Sequence, residues 1–194
     1  MKEREYDRLL ASKMLSAASL ALGKSFCNAI SEYITPASRV LDVGCGFGVA
    51  ATYVRAHTDF LTLVDVDRLA LDFVSRKWGA CNRIEISHVS DLNPLREFDV
   101  IYYFLSLHHI DAFEHEIGRS MARLSEGGCL FICELEPVEG SPFHIHEHAA
   151  YDGLSKERLC SALVNLGCSV VKSIDVGVIE KNVDYKVYLL QIQN

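Results

Sequence analysis

The sequence predicts a doubly wound α/β fold, a mostly parallel sheet covered by helices on both faces. Three observations carry this. Short apolar runs alternate with helical stretches along most of the chain. The runs are apolar almost throughout, as strands buried on both faces must be. The first run also leads directly into three closely spaced glycines and then a helical stretch. At 194 residues the chain has the length of one domain.

The elements follow in order. Residues 1–35 read as helical: Leu9, Leu10, Met14, Ala17 and Ala18 keep helical spacing, Gly23 interrupts, and Phe26, Ile30, Tyr33 and Ile34 resume it. Thr35-Pro36 ends that segment, because the residue before proline is pushed out of the helical region. Strands are predicted at Arg39–Val43, Phe60–Val64, Ile84–Ser87, Phe98–Leu105 and Gly128–Cys133, the last after the turn Ser125-Glu126-Gly127-Gly128. Helices are predicted between them at about 48–56, 68–77 and 112–124. Ser155–Leu166 reads as a helix with Ser155 as its N-cap and Gly167 just past its end. Ser169–Val176 and Tyr185–Ile192 then read as two strands. The eight residues joining them are too few for a parallel crossover, so the pair is antiparallel.

Composition narrows the function. The chain is 49% hydrophobic and 23% charged, which suits a globular protein and excludes a disordered tail. Its net charge of −7 argues against a general nucleic-acid binder, which needs a basic face to neutralise phosphates. No apolar run approaches the roughly 18 residues of a membrane span. The charged start Met1-Lys2-Glu3-Arg4-Glu5 lacks a signal peptide's apolar core. A cytoplasmic protein without membrane partners is expected. The seven cysteines stand without paired spacing and are expected to be buried small hydrophobes, with no metal site.

The chemistry is concentrated at Val40-Leu41-Asp42-Val43-Gly44-Cys45-Gly46-Phe47-Gly48. Strand, glycine turn and helix in that order make a nucleotide-type pocket, because glycine lets the backbone turn sharply and approach a ligand. The spacing is G-x-G-x-G rather than the dinucleotide G-x-G-x-x-G. Asp42, two residues before the first glycine, suits a cation better than a pyrophosphate. A phosphate-binding loop is excluded, since no Gly-Lys-Ser or Gly-Lys-Thr follows.

At these residues the sequence resembles the class I S-adenosylmethionine-dependent methyltransferases, and further motifs continue the likeness over about 36–194. Leu63-Val64-Asp65-Val66-Asp67 ends the second strand; Asp65 matches the family acid that holds the ribose hydroxyls. Ser90-Asp91-Leu92 follows the third, and Asp91 matches the acid near the adenine amino group. Phe98-Asp99-Val100-Ile101 opens a strand ending in Leu107-His108-His109-Ile110, and Leu124–Leu130 matches the turn into the fifth. The resemblance implies a Rossmann-like sheet of seven strands in the order 3-2-1-4-5-7-6, its last strand antiparallel; residues 1–35, helical by their spacing, form an N-terminal helical cap before it. The resemblance also implies S-adenosylmethionine as cofactor, held by Asp42, Gly44, Cys45, Gly46, Asp65, Val66, Ser90, Asp91, Leu92 and Phe104.

The reaction expected is methyl transfer to a small-molecule acceptor. A protein or RNA acceptor, and a non-catalytic nucleotide-binding role, are the alternatives. No Asn-Pro-Pro-Tyr follows the fourth strand, which argues against nucleobase N-methylation. His108 and His109 lie where the acceptor should face the methyl group and are the candidates for taking its proton. Of the aromatic run Tyr102-Tyr103-Phe104, at least two residues are expected in the core, and Asp67 is expected to cap the next helix. Cys45 is expected to be packed rather than nucleophilic. His144, His146 and His148 alternate in a loop of about 135–154 and fit an acceptor-pocket or surface loop better than a metal site. That loop and residues 1–35 are the candidate lid. Glu134 and Glu136 are expected to face the same mouth, either solvated or holding a cationic acceptor group.

Overall fold

The computed structural model describes residues 15–143, 149–181 and 183–193. Among them, seven strands form one sheet: β1 (Arg39–Val43), β2 (Phe60–Asp65), β3 (Ile84–His88), β4 (Phe98–Phe104), β5 (Leu124–Leu135), β6 (Ser169–Glu180) and β7 (Asp184–Gln193). Their order is β3-β2-β1-β4-β5-β7-β6. β1 pairs in parallel with β2 and β4, β2 with β3, and β4 with β5; β7 runs antiparallel between β5 and β6. This is the predicted sheet, with the antiparallel last strand.

The helices among the described residues are α1 (Ala17–Ile30), α2 (Ala51–Val54), α3 (Arg68–Trp78), α4 (Phe113–Met121) and α5 (Lys156–Asn165). Alternate strand residues feed two cores. Val40, Leu61, Val100, Tyr102 and Phe131 face α1, α2 and α3. Leu41, Val64, Ile101, Tyr103 and Ile132 face α4 and α5. This period-2 alternation with both faces buried is why the strands read as unbroken apolar runs.

Several boundaries move. Gly23 does not interrupt α1: a Cβ there would meet Val49 Cγ1 at 2.9 Å and Val49 O at 3.1 Å, so the missing side chain lets the glycine turn lie against the helix. The helix expected at 48–56 shrinks to four residues, because Gly44, Gly46 and Gly48 all have φ between 49° and 74° and the helix starts only after them. β5 begins at Leu124; the predicted turn 125–128 is an irregularity within it, across which pairing jumps from Phe98↔Leu124 to Val100↔Cys129. The final hairpin is longer than expected: β6 runs to Glu180 and β7 starts at Asp184. Leu9, Leu10, Met14 and the 144–148 histidine cluster lie outside the described residues.

Capping is local and matches the sequence. Asp67 is the N-cap of α3 and accepts the Leu69 N–H (2.9 Å); Ser155 is the N-cap of α5 and accepts the Arg158 N–H (3.2 Å). Among the described residues, no helix is long and apolar enough to cross a membrane.

Candidate functional site

The carboxyl ends of β1, β2, β3 and β4 meet at one edge of the sheet, where ligands bind in this architecture. The turn after β1 is tied to β2: the N–H groups of Gly44 and Cys45 both donate to Val64 C=O (2.9 and 3.0 Å). Asp65, the last residue of β2, completes the tie. Its Oδ2 accepts the Gly46 N–H at 2.8 Å and its Oδ1 the Asp67 N–H at 2.9 Å. Each oxygen keeps a lone pair for a further donor such as a hydroxyl.

The glycines have distinct duties. At Gly44 (φ 72°) a Cβ would come within 2.7 Å of Ser106 Cβ, so the turn after β4 packs directly on it. Gly46 (φ 49°) has open space where its Cβ would be, so its backbone can be approached. Gly48 (φ 74°) receives the Trp78 ring, whose nearest carbon would stand only 2.5 Å from a Cβ at this position.

Beneath the turn, Asp42 is 1% exposed. Tyr102 donates its hydroxyl to Asp42 Oδ2 (2.8 Å), while Oδ1 is buried with no partner among the described residues. Burial pushes the Asp42 carboxyl up to about 8, against the Tyr102 hydrogen bond, which lowers it. Cys45 is buried and its thiol is pushed well above its ordinary value, again by burial first. It is therefore a packed thiol, as expected, rather than a nucleophile.

At the far side, Val66 is 69% exposed although apolar, and Leu92 is buried. Just before Leu92 in sequence lies a polar chain: His88 Nδ1 and Ser90 Oγ are 2.8 Å apart, and the Ser90 hydroxyl donates to Asp91 Oδ1 at 3.0 Å. Phe104 is half-buried and packs on Phe26 of α1, ring centroids 5.1 Å apart. Tyr102 and Tyr103 are in the core, on opposite faces.

β4 ends with a sharp change. Leu105 has φ 52°, a conformation that is strained for a bulky residue. Ser106 then donates to Val43 C=O (2.8 Å), and Leu107–His109 form a short 3₁₀ turn. His108 is 1% exposed, whereas His109 is exposed; their rings are 4.3 Å apart.

Glu134 corrects the sequence reading. It is not at a solvated mouth but fully buried, bonded to His108 Nδ1 (2.8 Å) and to backbone N–H groups. Glu136 accepts the Lys156 N–H at the start of α5 (3.0 Å). Glu134 is therefore spent on the fold, whereas Glu136, half-buried, has its other oxygen left for a further donor. Nothing in the local sequence distinguishes Glu134 from a surface acid; apart from the adjacent Leu135 N–H, its partners lie 26 and 27 residues away.

The residues fit S-adenosylmethionine. The orphan Asp42 oxygen seeks a donor or cation, the open face of Gly46 admits a close ligand, Asp65 has acceptor capacity to spare, and Val66 offers an exposed apolar face.

Known proteins point the same way. The chain matches a family model described as "Methyltransferase domain" over residues 9–172. No curated protein matches it in sequence. Among solved structures it is similar to a SAM-dependent methyltransferase from Leishmania major, with TM-score 0.74 and 14% identity over 92% of this chain and 74% of that one. A SAM-dependent methyltransferase from Aquifex aeolicus gives TM-score 0.70 and 17% identity over 94% and 95%. The [4+2]-cyclase SpnF gives TM-score 0.66 and 18% identity over 87% and 80%. At such identities these likenesses speak for the fold.

Proposed function

The chain belongs to the methyltransferase-domain family, and from that premise we propose that it transfers a methyl group from S-adenosylmethionine to a small-molecule acceptor. The observation that carries this is the Asp65–Gly46 bond set over the orphaned Asp42 oxygen: one carboxylate shapes the glycine turn, and a second lies under it without a full set of donors. When bound, the cofactor supplies a methyl group already activated on a sulfonium.

In this reading Asp65 accepts the ribose hydroxyls, and buried Asp42, protonated in the free protein, returns to its carboxylate beside the cationic part of the cofactor. Gly44, Cys45 and Gly46 offer backbone at close range. Val66 and Leu92 hold the adenine between apolar surfaces, with Ser90 and Asp91 at its polar edge, and Phe104 lines the wall beneath α1. His109, exposed on the turn after β4, is the group that takes a proton from a hydroxyl or thiol acceptor; buried His108 acts through the turn. Alignment and water exclusion supply most of the rate. The net charge of −7 supports a small acceptor over a phosphate-rich one.

Thermal unfolding with S-adenosylhomocysteine tests the cofactor. At 100 times its dissociation constant a ligand stabilises by about 2.7 kcal/mol, roughly 5–10 °C for a chain of this size. Asp65→Ala should remove most of that shift. No shift in the wild type would sink the donor-site reading. Because SpnF is described as a cyclase on this same fold, binding must be followed by transfer of labelled methyl to a panel of small hydroxyl, thiol and amine compounds.

A further inference from the structure

Glu134 is 0% exposed at the end of β5, and four donors converge on it. Its Oε1 accepts the N–H groups of Leu107 (2.9 Å) and His108 (3.2 Å). Its Oε2 faces His108 Nδ1 (2.8 Å) and the Leu135 N–H (3.2 Å). A buried carboxylate is costly unless its lone pairs are filled, and here three of the four donors come from one short turn. Since both oxygens already accept backbone N–H groups, His108 Nδ1 supplies the hydrogen of its own bond.

The turn is gripped from the other side too. Tyr151 N–H donates to His108 C=O (3.0 Å), and the Tyr151 hydroxyl to Asp111 C=O (2.8 Å). Just before the turn, Ser106 packs on Gly44 and bonds to Val43 C=O, so the turn abuts the glycine loop of the donor site.

We propose that Glu134 is a positioning residue for methyl transfer: it folds the Leu107–His109 turn onto the end of β5, holds the His108 ring with its hydrogen on Nδ1, and so presents His109 beside the donor site. This rests on the donor-site reading above. Glu134 itself touches neither donor nor acceptor; it acts through the turn.

The test is ¹⁵N NMR of the histidine rings in the wild type and in Glu134→Gln, each with and without S-adenosylhomocysteine. In the wild type, His108 should carry hydrogen on Nδ1. In Glu134→Gln the amide oxygen can keep the Leu107 and His108 N–H groups, but its NH₂ then faces Nδ1, which must accept. The hydrogen should move to Nε2 while the backbone amide spectrum stays that of the folded protein, which separates the switch from a ring merely released into water. S-adenosylhomocysteine affinity should stay within about threefold of the wild type. With any acceptor from the panel, kcat should fall about 10- to 100-fold while the donor KM is unchanged, as expected for a reacting group displaced by a fraction of an ångström to one ångström. A wild-type His108 with hydrogen on Nε2 alone overturns the proposal without any variant. So does an unchanged tautomer in Glu134→Gln, or wild-type kcat despite the switch. If the wild type fails to bind S-adenosylhomocysteine, the donor-site reading falls and takes the catalytic role with it; the ring spectra, which need no ligand, show that failure to be separate from an error about Glu134.

Discussion

Asp42 shows how one residue's surroundings reverse its ordinary behaviour. A strand-end acid normally ionises near 3.8; here burial dominates and raises it to about 8, with the Asp65 charge adding to the rise and the Tyr102 hydroxyl opposing it. The folded chain therefore keeps a proton that the unfolded chain releases. Stability from this group is full below about pH 4 and is lost as pH rises toward about 8. The urea midpoint of the wild type should fall over that window, and Asp42→Asn, neutral at every pH, should flatten the fall. An equal slope in both proteins would show that Asp42 ionises freely. The place of Asp42 before the glycines was legible in the sequence. Its Tyr102 partner was not, because that residue is 60 positions away and reads as ordinary core.

At the scale of elements, the turn after β1 is specified by three glycines but held by its neighbours. Gly48 combines φ 74° with the Trp78 ring of α3 lying where a Cβ would project. Gly48→Ala should cost about 2–4 kcal/mol, from the left-handed backbone and the overpacking together, read from urea unfolding. A loss below about 1 kcal/mol would mean that α3 shifts freely, which its buried Leu71, Val74 and Trp78 argue against. The caps of α3 and α5 could be read directly, since Asp67 and Ser155 bond within three residues. The length of α2 could not, because apolar spacing at 49–54 looks helical whether or not the preceding glycines permit a helix. Nor could the continuity of α1 through Gly23, where close packing against Val49 outweighs glycine's weak helix propensity.

For the molecule as a whole, Asp99 joins the amino ends of three strands. It accepts Arg39 N–H (2.8 Å), Arg39 Nη2 (2.8 Å) and the Ser125 hydroxyl (2.7 Å), linking β1, β4 and β5. The hydrogen-bonded Arg39 guanidinium holds the Asp99 carboxyl at about 2. The sign is opposite to that of Asp42: this stability is present above about pH 4 and lost as pH falls toward about 2. Both side chains are about one-third exposed or more, so the ion pair contributes only about 0–1 kcal/mol. Asp99→Asn should lower stability slightly at neutral pH and make acid unfolding less steep; unchanged acid unfolding would remove Asp99 from the account. Fold class, strand alternation, the glycine turn and the helix caps were all readable along the chain, because each follows from local periodicity or from bonds spanning a few residues. The seven strands could be read from periodicity, but their order followed from resemblance. Tertiary structure alone decided which carboxylates are spent: Glu134 and Asp65 stand at strand ends with similar apolar neighbours, yet one is sealed beneath the turn after β4 and the other shapes an open loop. That difference depends on which face of the sheet each side chain enters and what packs above it, and so on contacts between segments far apart in sequence.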